Sequence, residues 1–501
     1  MSIPVLNIND VIPFKECTLT YGHFNSVHHG HIRYLKHAAS RGNQLVVAIL
    51  PDTNNGDKNL YEFNQKERAE SLSSFNFIDG IILLNDEENS LFNAINKIKP
   101  NLLVLGKEFE KSKNPEIMKA IEFMRKQNKL IQFHAGDIQY ASTQLLERSK
   151  NDLLEENKKK FNKACKRQGI SINQLLECIE SWKKTNLLVV GDTILDQYAG
   201  CEAIGMSAEA PVLVVRELQK KNYVGGASIV ASHIKALGAN CYFLSVVGED
   251  DEAKIIKNKL LEQNISCEFI EDSSRSTTFK KRYLVENQKL FRVSKLNDHL
   301  LDKNIEDELI KKIEILAPKV NGIVVSDFVY GVITEKLINK ILSLSKKYKL
   351  KIFGDTQCSS QIGLVTKFKK FSLICPNEKE ARIALQDKVS GLEALSHNLM
   401  SSTQSEKLII KLGAQGFIAY DQFLQGQYYS QSFPTLSVNP VDVSGAGDSL
   451  FSVMATALSS NNDFMSSAAL ACCMSAIAVE NMGNTPIHSN QLKDFLKKVF
   501  I

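Results

Sequence analysis

Two stretches of the chain hold residues whose types and spacing could handle phosphate. The first is GHFNSVHHGH, Gly22 to His31, which follows the apolar run CTLTY and leads into IRYLKHAAS. Five of the ten histidines lie between His23 and His37. His28 and His31 are three apart, so a helix running through IRYLKHAAS sets them on one face of its first turn. Gly22 and Gly30 let the backbone approach a ligand closely. A helix N-terminus offers free N–H groups and the positive end of a dipole, which together hold phosphate. Two imidazoles there add donors aimed at charge developing on a transferring phosphate. A surface histidine at a helix cap would account for any one of these residues, but not for the ordered set Gly, Phe, His, Gly, His.

The second stretch is VDVSGAGDSLFSVMATAL, Val441 to Leu458. Gly445, Ala446 and Gly447 precede an apolar helix, which predicts that their N–H groups point into one concavity, an anion hole. Asp448 then stands at the helix start with its carboxylate beside the hole. A carboxylate there can accept a hydroxyl proton while the amides hold a phosphoryl group in flight. Taken alone, the same residues also fit a glycine-rich turn with Asp as a helix cap.

The elements that must position these stretches follow the βαβ rhythm of parallel-sheet proteins, apolar runs alternating with longer amphipathic ones. CTLTY, QLVVAIL, GIILL and NLLVLG are strand-like runs of the first part, and a new rhythm begins at NLLVVGD. Between them, residues 149–185 are heavily charged, helical in period and without a strand-like run, which reads as a solvated linker helix rather than a basic binding segment. The predicted organisation is therefore an N-terminal domain over 1–148, a charged helical linker over 149–185 and a C-terminal domain over 186–501.

Composition narrows the class. The 501 residues suffice for more than one domain, and 44% hydrophobic with 23% charged residues is a globular balance. A net charge of +5 is small for this length, and the basic residues lack interleaved aromatics, which argues against nucleic acid. The N-terminus shows no secretory pattern, and no apolar run approaches the roughly 20 residues of a membrane span. The run AALACCMSAIAV reads as a buried helix. Ten scattered cysteines without a CxxC pair fit reduced, mostly buried thiols in a cytoplasmic protein better than disulfides or zinc.

The first stretch resembles the signature of the nucleotidyltransferase superfamily, written here as T-x-G-x-F-N-x-x-H-x-G-H from Thr20 to His31. The resemblance extends over roughly residues 17 to 148 and implies a Rossmann-like domain. It implies nucleotide or phosphate contacts at Thr20, Gly22 and Phe24, and at Arg68 within ERAESLSSFNFIDGIILL. Lys107 of NLLVLGKEF would lie near the ligand, and Ser142 and Thr143 of YASTQLLER would start a phosphate-binding helix. His28 and His31 would stabilise attack of a sugar phosphate on the α-phosphate of a nucleoside triphosphate. The family usually carries Asp after the Phe, where this chain has Asn25.

Residues 186 to 495 resemble the ribokinase-like sugar kinases, which implies an α/β/α domain. Among them the match is nearest to the kinase half of the bifunctional heptose 7-phosphate kinase/heptose 1-phosphate adenylyltransferases. LLVVGDTILDQY sets Asp196 where the family contacts sugar hydroxyls, and VGGASIVASHIKALGAN supplies the glycine pair against the substrate, Gly225 and Gly226. MSAEAPVLVV resembles a further segment, and FKKRYLVENQKLFRV brings Lys280 and Arg282 to the sugar phosphate. VVSDFVYG carries Asp327, while Asn377 and Glu380 of CPNEKE match the family's N-x-x-E site, which holds Mg²⁺ through water. KLGAQG, with Lys411, Gly413 and Gly416, resembles the loop beside the nucleotide. By the same resemblance Asp448 is the base and Gly445, Ala446 and Gly447 the anion hole. Three positions depart from the pattern: Ile229 replaces an amide, Gln357 a lysine and Gly205 an arginine, all expected at or near the sugar pocket.

The resemblance thus implies both halves of one bifunctional enzyme type in reversed order, transferase first. The implied reactions are phosphorylation of a heptose 7-phosphate or similar sugar phosphate at C1 by ATP, then AMP transfer to give ADP-heptose for surface polysaccharide. Three alternatives stay open: a different sugar, CTP in place of ATP, or a kinase whose transferase-like half is a silent binding module. A sugar phosphate and a nucleoside triphosphate are the implied partners, with no nucleic acid and no membrane, and a homo-oligomer is expected.

Overall fold

The computed structural model describes residues 3–10, 14, 16–24, 27, 29–52, 63–86, 89–106, 109–110, 114–134, 150–286, 288–357, 361–422, 428–437 and 440–500. The chain divides into two compact units. One comprises Met1–Leu153 with the segments Gln386–Asn398 and Tyr428–Ser432, and the other holds the remainder.

In the first unit β1 (Val5–Asn7), β2 (Cys17–Gly22), β3 (Gln44–Ile49), β4 (Gly80–Leu83), β5 (Leu102–Gly106) and β6 (Leu130–His134) form one sheet. Their order is β1-β4-β3-β2-β5-β6, and every described pairing is parallel. Strands such as QLVVAI and LLVLG are apolar on both faces because helices cover both sides of a parallel sheet. The helix Gln65–Ser73 starts at Asn64, whose side chain accepts the Glu67 N–H while Glu67 accepts the Asn64 N–H. The chain order reverses at β2, which has β3 on one side and β5 on the other. In open α/β sheets ligands bind at such a switch point, beyond the carboxyl ends of the strands. GHFNSVHHGH begins there.

The second unit carries two sheets. The larger includes β7 (Asn186–Gly191), β10 (Asn240–Val247), β11 (Ser266–Glu271), β14 (Gly322–Asp327), β15 (Lys351–Thr356), β16 (Leu373–Ile374), β17 (Lys407–Lys411) and β18 (Phe417–Gln422). They lie in the order β11-β10-β7-β14-β15-β16-β17-β18, parallel as far as β17. The smaller sheet has the order β13-β12-β8-β9, built from β8 (Thr193–Met206), β9 (Leu213–Gly226), β12 (Thr278–Val285) and β13 (Gln288–Lys295). Only two residues after the end of β7 the chain enters β8, so the start of β8 is packed against the main sheet while its far end is exposed.

From Leu154 onward the segment expected to be a solvated linker is instead part of the second unit. The helices Lys150–Arg167 and Ile172–Ser181 bury Phe161, Ala164 and Cys165, then Leu175, Cys178 and Ile179, in the unit's main core, and Trp182, the next residue, joins them there. The spacing of these residues is one helical face, and the lysines and glutamates occupy the other. Trp182 Nε1 donates to Asn462 Oδ1 at 2.8 Å, Asn162 Nδ2 donates to the Val499 carbonyl at 2.8 Å, and Lys493 pairs with Glu180. Trp182→Ala in the full chain is therefore expected to cost about 3–5 kcal/mol of stability. Chemical denaturation reads it, and a loss under 1 kcal/mol would mean the segment is dispensable for the core.

The apolar run AALACCMSAIAV lies in Phe464–Ala478, a helix buried along almost its whole length. Among the described residues no helix is long and apolar enough to cross a membrane. Eight of the nine described cysteines are buried, and burial pushes the Cys17 thiol up to about 11 and the Cys165 thiol up to about 12.

Candidate active site

The carboxyl ends of β7, β14, β15 and β17 bring Asp192, Asp327, Asp355 and Lys411 to the rim of the larger sheet. The helix Ala446–Ser459 begins beside them, capped by Gly445 in the left-handed region at φ 83°. A Cβ on Gly445 would fall 2.1 Å from Asn484 Oδ1, so only glycine fits that turn. Asp448, in the first helical turn, is 4% exposed and accepts a hydrogen bond from Gln357 Nε2 at 2.5 Å. Burial pushes its carboxyl up to about 7, reinforced by Asp355 and Asp196 and opposed by Lys411 and Gln357. Lys411 Nζ donates to both oxygens of Asp355, at 2.9 and 3.1 Å, and burial raises the Asp355 carboxyl to about 6. The same ammonium stands 3.3 Å from the place a Cβ on Gly447 would take. The predicted anion hole thus has a fixed positive charge against its wall and a poised carboxylate at its edge.

The smaller sheet brings the expected sugar contacts to the same region. Asp196 on β8 is ion-paired with Arg282 on β12. A Cβ on Gly225 would lie 2.4 Å from Asp196 Oδ2, so the glycine makes room for that carboxylate, and Gly226 follows at φ 63°. Lys280 is buried, its ammonium 5.6 Å above the Phe328 ring and 5.2 Å above the Tyr330 ring. Asn377 and Glu380 hold each other: the Asn377 N–H donates to Glu380 Oε2 at 2.8 Å and the Glu380 N–H to Asn377 Oδ1 at 2.9 Å. Asn377 also bridges to Lys411, which ties the N-x-x-E turn to the end of β17. Gly413 opens the tight turn after Lys411, and Gly416 closes it at φ 88° against the Phe433 carbonyl. Asp327 is paired with Lys367.

Of the three departures from the family pattern, Ile229 is fully buried in the main core and Gly205 lies on the exposed outer end of β8. Gln357 stands at the site, as the donor to Asp448. Sequence reasoning singled out neither the Lys411–Asp355 pair nor the Gln357 contact; the signal was GDTQ, a carboxylate and an amide at the end of a buried strand. Because that amide favours the ionised form of Asp448, Gln357→Leu is expected to move the acid limb of the kinase pH profile upward. An unmoved limb would show that the contact does not govern the ionisation of Asp448.

In the first unit, Gly22 ends β2 and a Cβ on it would come within 3.0 Å of the Phe24 ring. Phe24, buried at φ 51°, stands edge-on to the His31 ring at 5.4 Å between centroids. His31 lies in the first turn of His29–Ala39, the helix predicted to receive it. Thr20 is fully buried inside β2. Arg68 is placed differently from the expectation of a nucleotide contact. Its guanidinium is buried and donates to the His23 carbonyl, to the Leu50 carbonyl at 2.9 Å and to Asp52 Oδ1 at 2.6 Å, so it clasps the loop after β2 to the end of β3. Asn25, His28, Lys107, Ser142 and Thr143 lie outside the described residues.

A parallel sheet whose strand ends meet a glycine-capped helix start and a buried carboxylate is an arrangement suited to phosphoryl transfer. The chain belongs to the pfkB family of carbohydrate kinases, whose model matches residues 184–490, and the cytidylyltransferase-like family model matches residues 19–148. The chain therefore joins a nucleotidyltransferase-like domain to a carbohydrate-kinase domain, in that order. It is similar to the bifunctional protein HldE of Campylobacter jejuni, 28% identical over 323 residues, which cover 64% of this chain and 66% of that one. The HldE of Geobacter sulfurreducens is 30% identical over 307 residues, 60% of this chain and 61% of its own. The chain spans less than two thirds of the length of these curated relatives. Phosphofructokinase-2 from Escherichia coli, solved with substrates and products, shares the fold at a TM-score of 0.51 and 14% identity, over 63% of this chain and 99% of that one.

Proposed function

We propose that the chain is a bifunctional enzyme that phosphorylates heptose 7-phosphate, or a similar sugar phosphate, at C1 with ATP. It then transfers AMP to the sugar 1-phosphate, releasing pyrophosphate and giving ADP-heptose for surface polysaccharide. The observation that carries this reading is the buried Asp448 carboxylate beside the glycine turn Gly445–Gly447, with the Asp196–Arg282 pair near enough for Asp196 to raise it.

In the kinase half, Asp196 and Arg282 orient the sugar, and Lys280 faces its phosphate. Asp448 takes the proton of the attacking hydroxyl as its oxygen bonds to the γ-phosphorus, and ADP departs. The amides of Gly445 to Gly447 and the charge of Lys411 hold the phosphoryl group as it passes. The reciprocal Asn377–Glu380 turn fits a Mg²⁺ ion held through water, since both side chains are already engaged by backbone N–H groups and their position is fixed. When bound, Mg²⁺ offsets charge on the phosphates. In the transferase half, His28 and His31 stabilise the α-phosphate during attack by the sugar 1-phosphate oxygen. Arg68 holds the His23 carbonyl, at the start of the stretch that carries them.

A second reading retains both reactions with CTP as the nucleotide donor, favoured by the cytidylyltransferase-like match over residues 19–148. A homo-oligomer belongs to either reading. Purified protein with heptose 7-phosphate, Mg²⁺ and either ATP alone or ATP together with CTP, with ADP and pyrophosphate read separately, tests both. Both products with ATP alone support the proposal, pyrophosphate only when CTP is present supports the second reading, and neither product rules out heptose 7-phosphate as the substrate.

A further inference from the structure

One cluster of charged side chains near the anion hole has no part in the transfer described above. Asp442 lies three residues before Gly445, and its side chain is 2% exposed. Its carboxylate accepts four hydrogen bonds. Oδ2 accepts the Tyr198 hydroxyl at 2.9 Å and the Gly483 N–H at 3.3 Å, and Oδ1 accepts Lys289 Nζ at 2.8 Å and the Ser444 N–H at 3.0 Å. Two of these donors belong to the smaller sheet, Tyr198 on β8 and Lys289 on β13. The other two belong to the loops that frame the anion hole, one leading into Gly445 and one leading into Asn484, against which Gly445 is packed.

The connection runs on into the sugar side. The Arg282 guanidinium lies 5.2 Å over the Tyr198 ring and pairs with Asp196. Lys289 also lies 5.8 Å over that ring. An unbroken series of contacts therefore joins Asp196, Arg282, Tyr198, Asp442 and Ser444, ending beside the cap of the anion-hole helix. Burial alone would raise the Asp442 carboxyl, but the hydrogen bonds from Lys289, Ser444 and Tyr198 outweigh it and hold the group down to about 2. It therefore stays ionised, and charge-assisted hydrogen bonds of this kind are the strong ones.

We infer that Asp442 is a positioning residue that ties the anion hole to the sugar-bearing sheet, with Lys289 as the outer half of the tie. What the hole holds rests on the kinase reading; the tie itself does not. A loop anchored to two strands on one side and to a neighbouring loop on the other has little freedom to move its amides. Misplacing such donors lowers the rate of transfer without weakening the grip on the sugar. Lys289 is the member to remove, because its side chain is 43% exposed and its loss leaves the core unchanged.

The test uses the full chain and its Lys289→Met, Lys289→Arg and Tyr198→Phe variants. Sugar kinetics are measured together with hydrogen–deuterium exchange of the amides at 442–447. Lys289→Met is expected to lower kcat about ten-fold, the scale of one lost charge-assisted hydrogen bond. The sugar KM should stay within about two-fold of wild type, since the lost interaction acts only during transfer. Exchange at 442–447 should quicken, Lys289→Arg should restore most of both effects, and Tyr198→Phe should reproduce them in part. An unchanged kcat and unchanged exchange would overturn the tie, and so would a raised KM at full kcat, which would make Lys289 a sugar contact. If the wild-type chain turns over no sugar, the kinase reading fails and exchange alone decides the tie. Faster exchange in Lys289→Met then upholds it, and unchanged exchange overturns it.

Discussion

Asp448→Asn is expected to abolish sugar phosphorylation, lowering kcat by on the order of 10³-fold or more, while leaving pyrophosphate release from ATP and a sugar 1-phosphate at the wild-type rate. The size is that of removing a general base in contact with a reacting hydroxyl, the role proposed for Asp448. The asparagine keeps the shape and can still accept from Gln357, so the loss isolates proton transfer from architecture. The pH dependence has a definite sign. Asp448 acts as a base only when ionised, and its carboxyl is raised to about 7, so wild-type kcat should fall as pH drops through about 7. Stability moves the other way. The folded state holds that proton more tightly than the unfolded chain, whose carboxyl sits near 3.8, so ionising Asp448 costs stability as pH rises from about 4 to about 7. Asp448→Asn should therefore melt higher than wild type at pH 8, an inactive but steadier protein. A variant that keeps a kinase rate within ten-fold of wild type would remove Asp448 from the base role.

The complementary result is expected in the other half. His31→Ala should slow pyrophosphate release by about 10²–10³-fold, the usual loss on deleting one donor to a charged transition state. Sugar phosphorylation should be untouched, and His28→Ala should behave alike. The His31 ring is held by its edge-on contact with Phe24 in the first turn of its helix, so the alanine also frees Phe24. A stability measurement on the same variant separates that effect from chemistry. If both histidine variants release pyrophosphate at full rate, the reading of GHFNSVHHGH as a phosphate site is wrong.

The periodicity of the chain carried the two α/β domains well. Continuous apolar strands such as QLVVAI and GIVVSD are what a sheet covered on both faces requires, and Gly445 betrayed its turn because no other residue tolerates the conformation. The segment 149–185 was misread because its lysines and glutamates dominate composition, whereas Phe161, Cys165, Leu175, Cys178 and Trp182 decide where it packs. Burial depends on a stripe of few residues, and net charge hides a stripe. The Arg68 clasp, the Lys411–Asp355 pair and the Asp442 cluster were illegible for a different reason. Each has members far apart in the chain, 16 positions for Arg68 and Asp52, 56 for Lys411 and Asp355 and 244 for Tyr198 and Asp442, and only the folded sheet order brings them together.

The burial of the thiols has a practical consequence for watching the molecule open. A thiol reagent attacks the thiolate, so cysteines that are buried and shifted upward stay silent until their surroundings unfold. Of the nine described cysteines, Cys17 is the one in the first unit, and the other eight belong to the second. Cys165, Cys241, Cys472 and Cys473 are deep in the core there, three of them on helices of that core. Pulsed alkylation followed by peptide mass analysis would therefore time the unfolding of each half separately in one sample. The unmodified chain already carries its own pair of clocks.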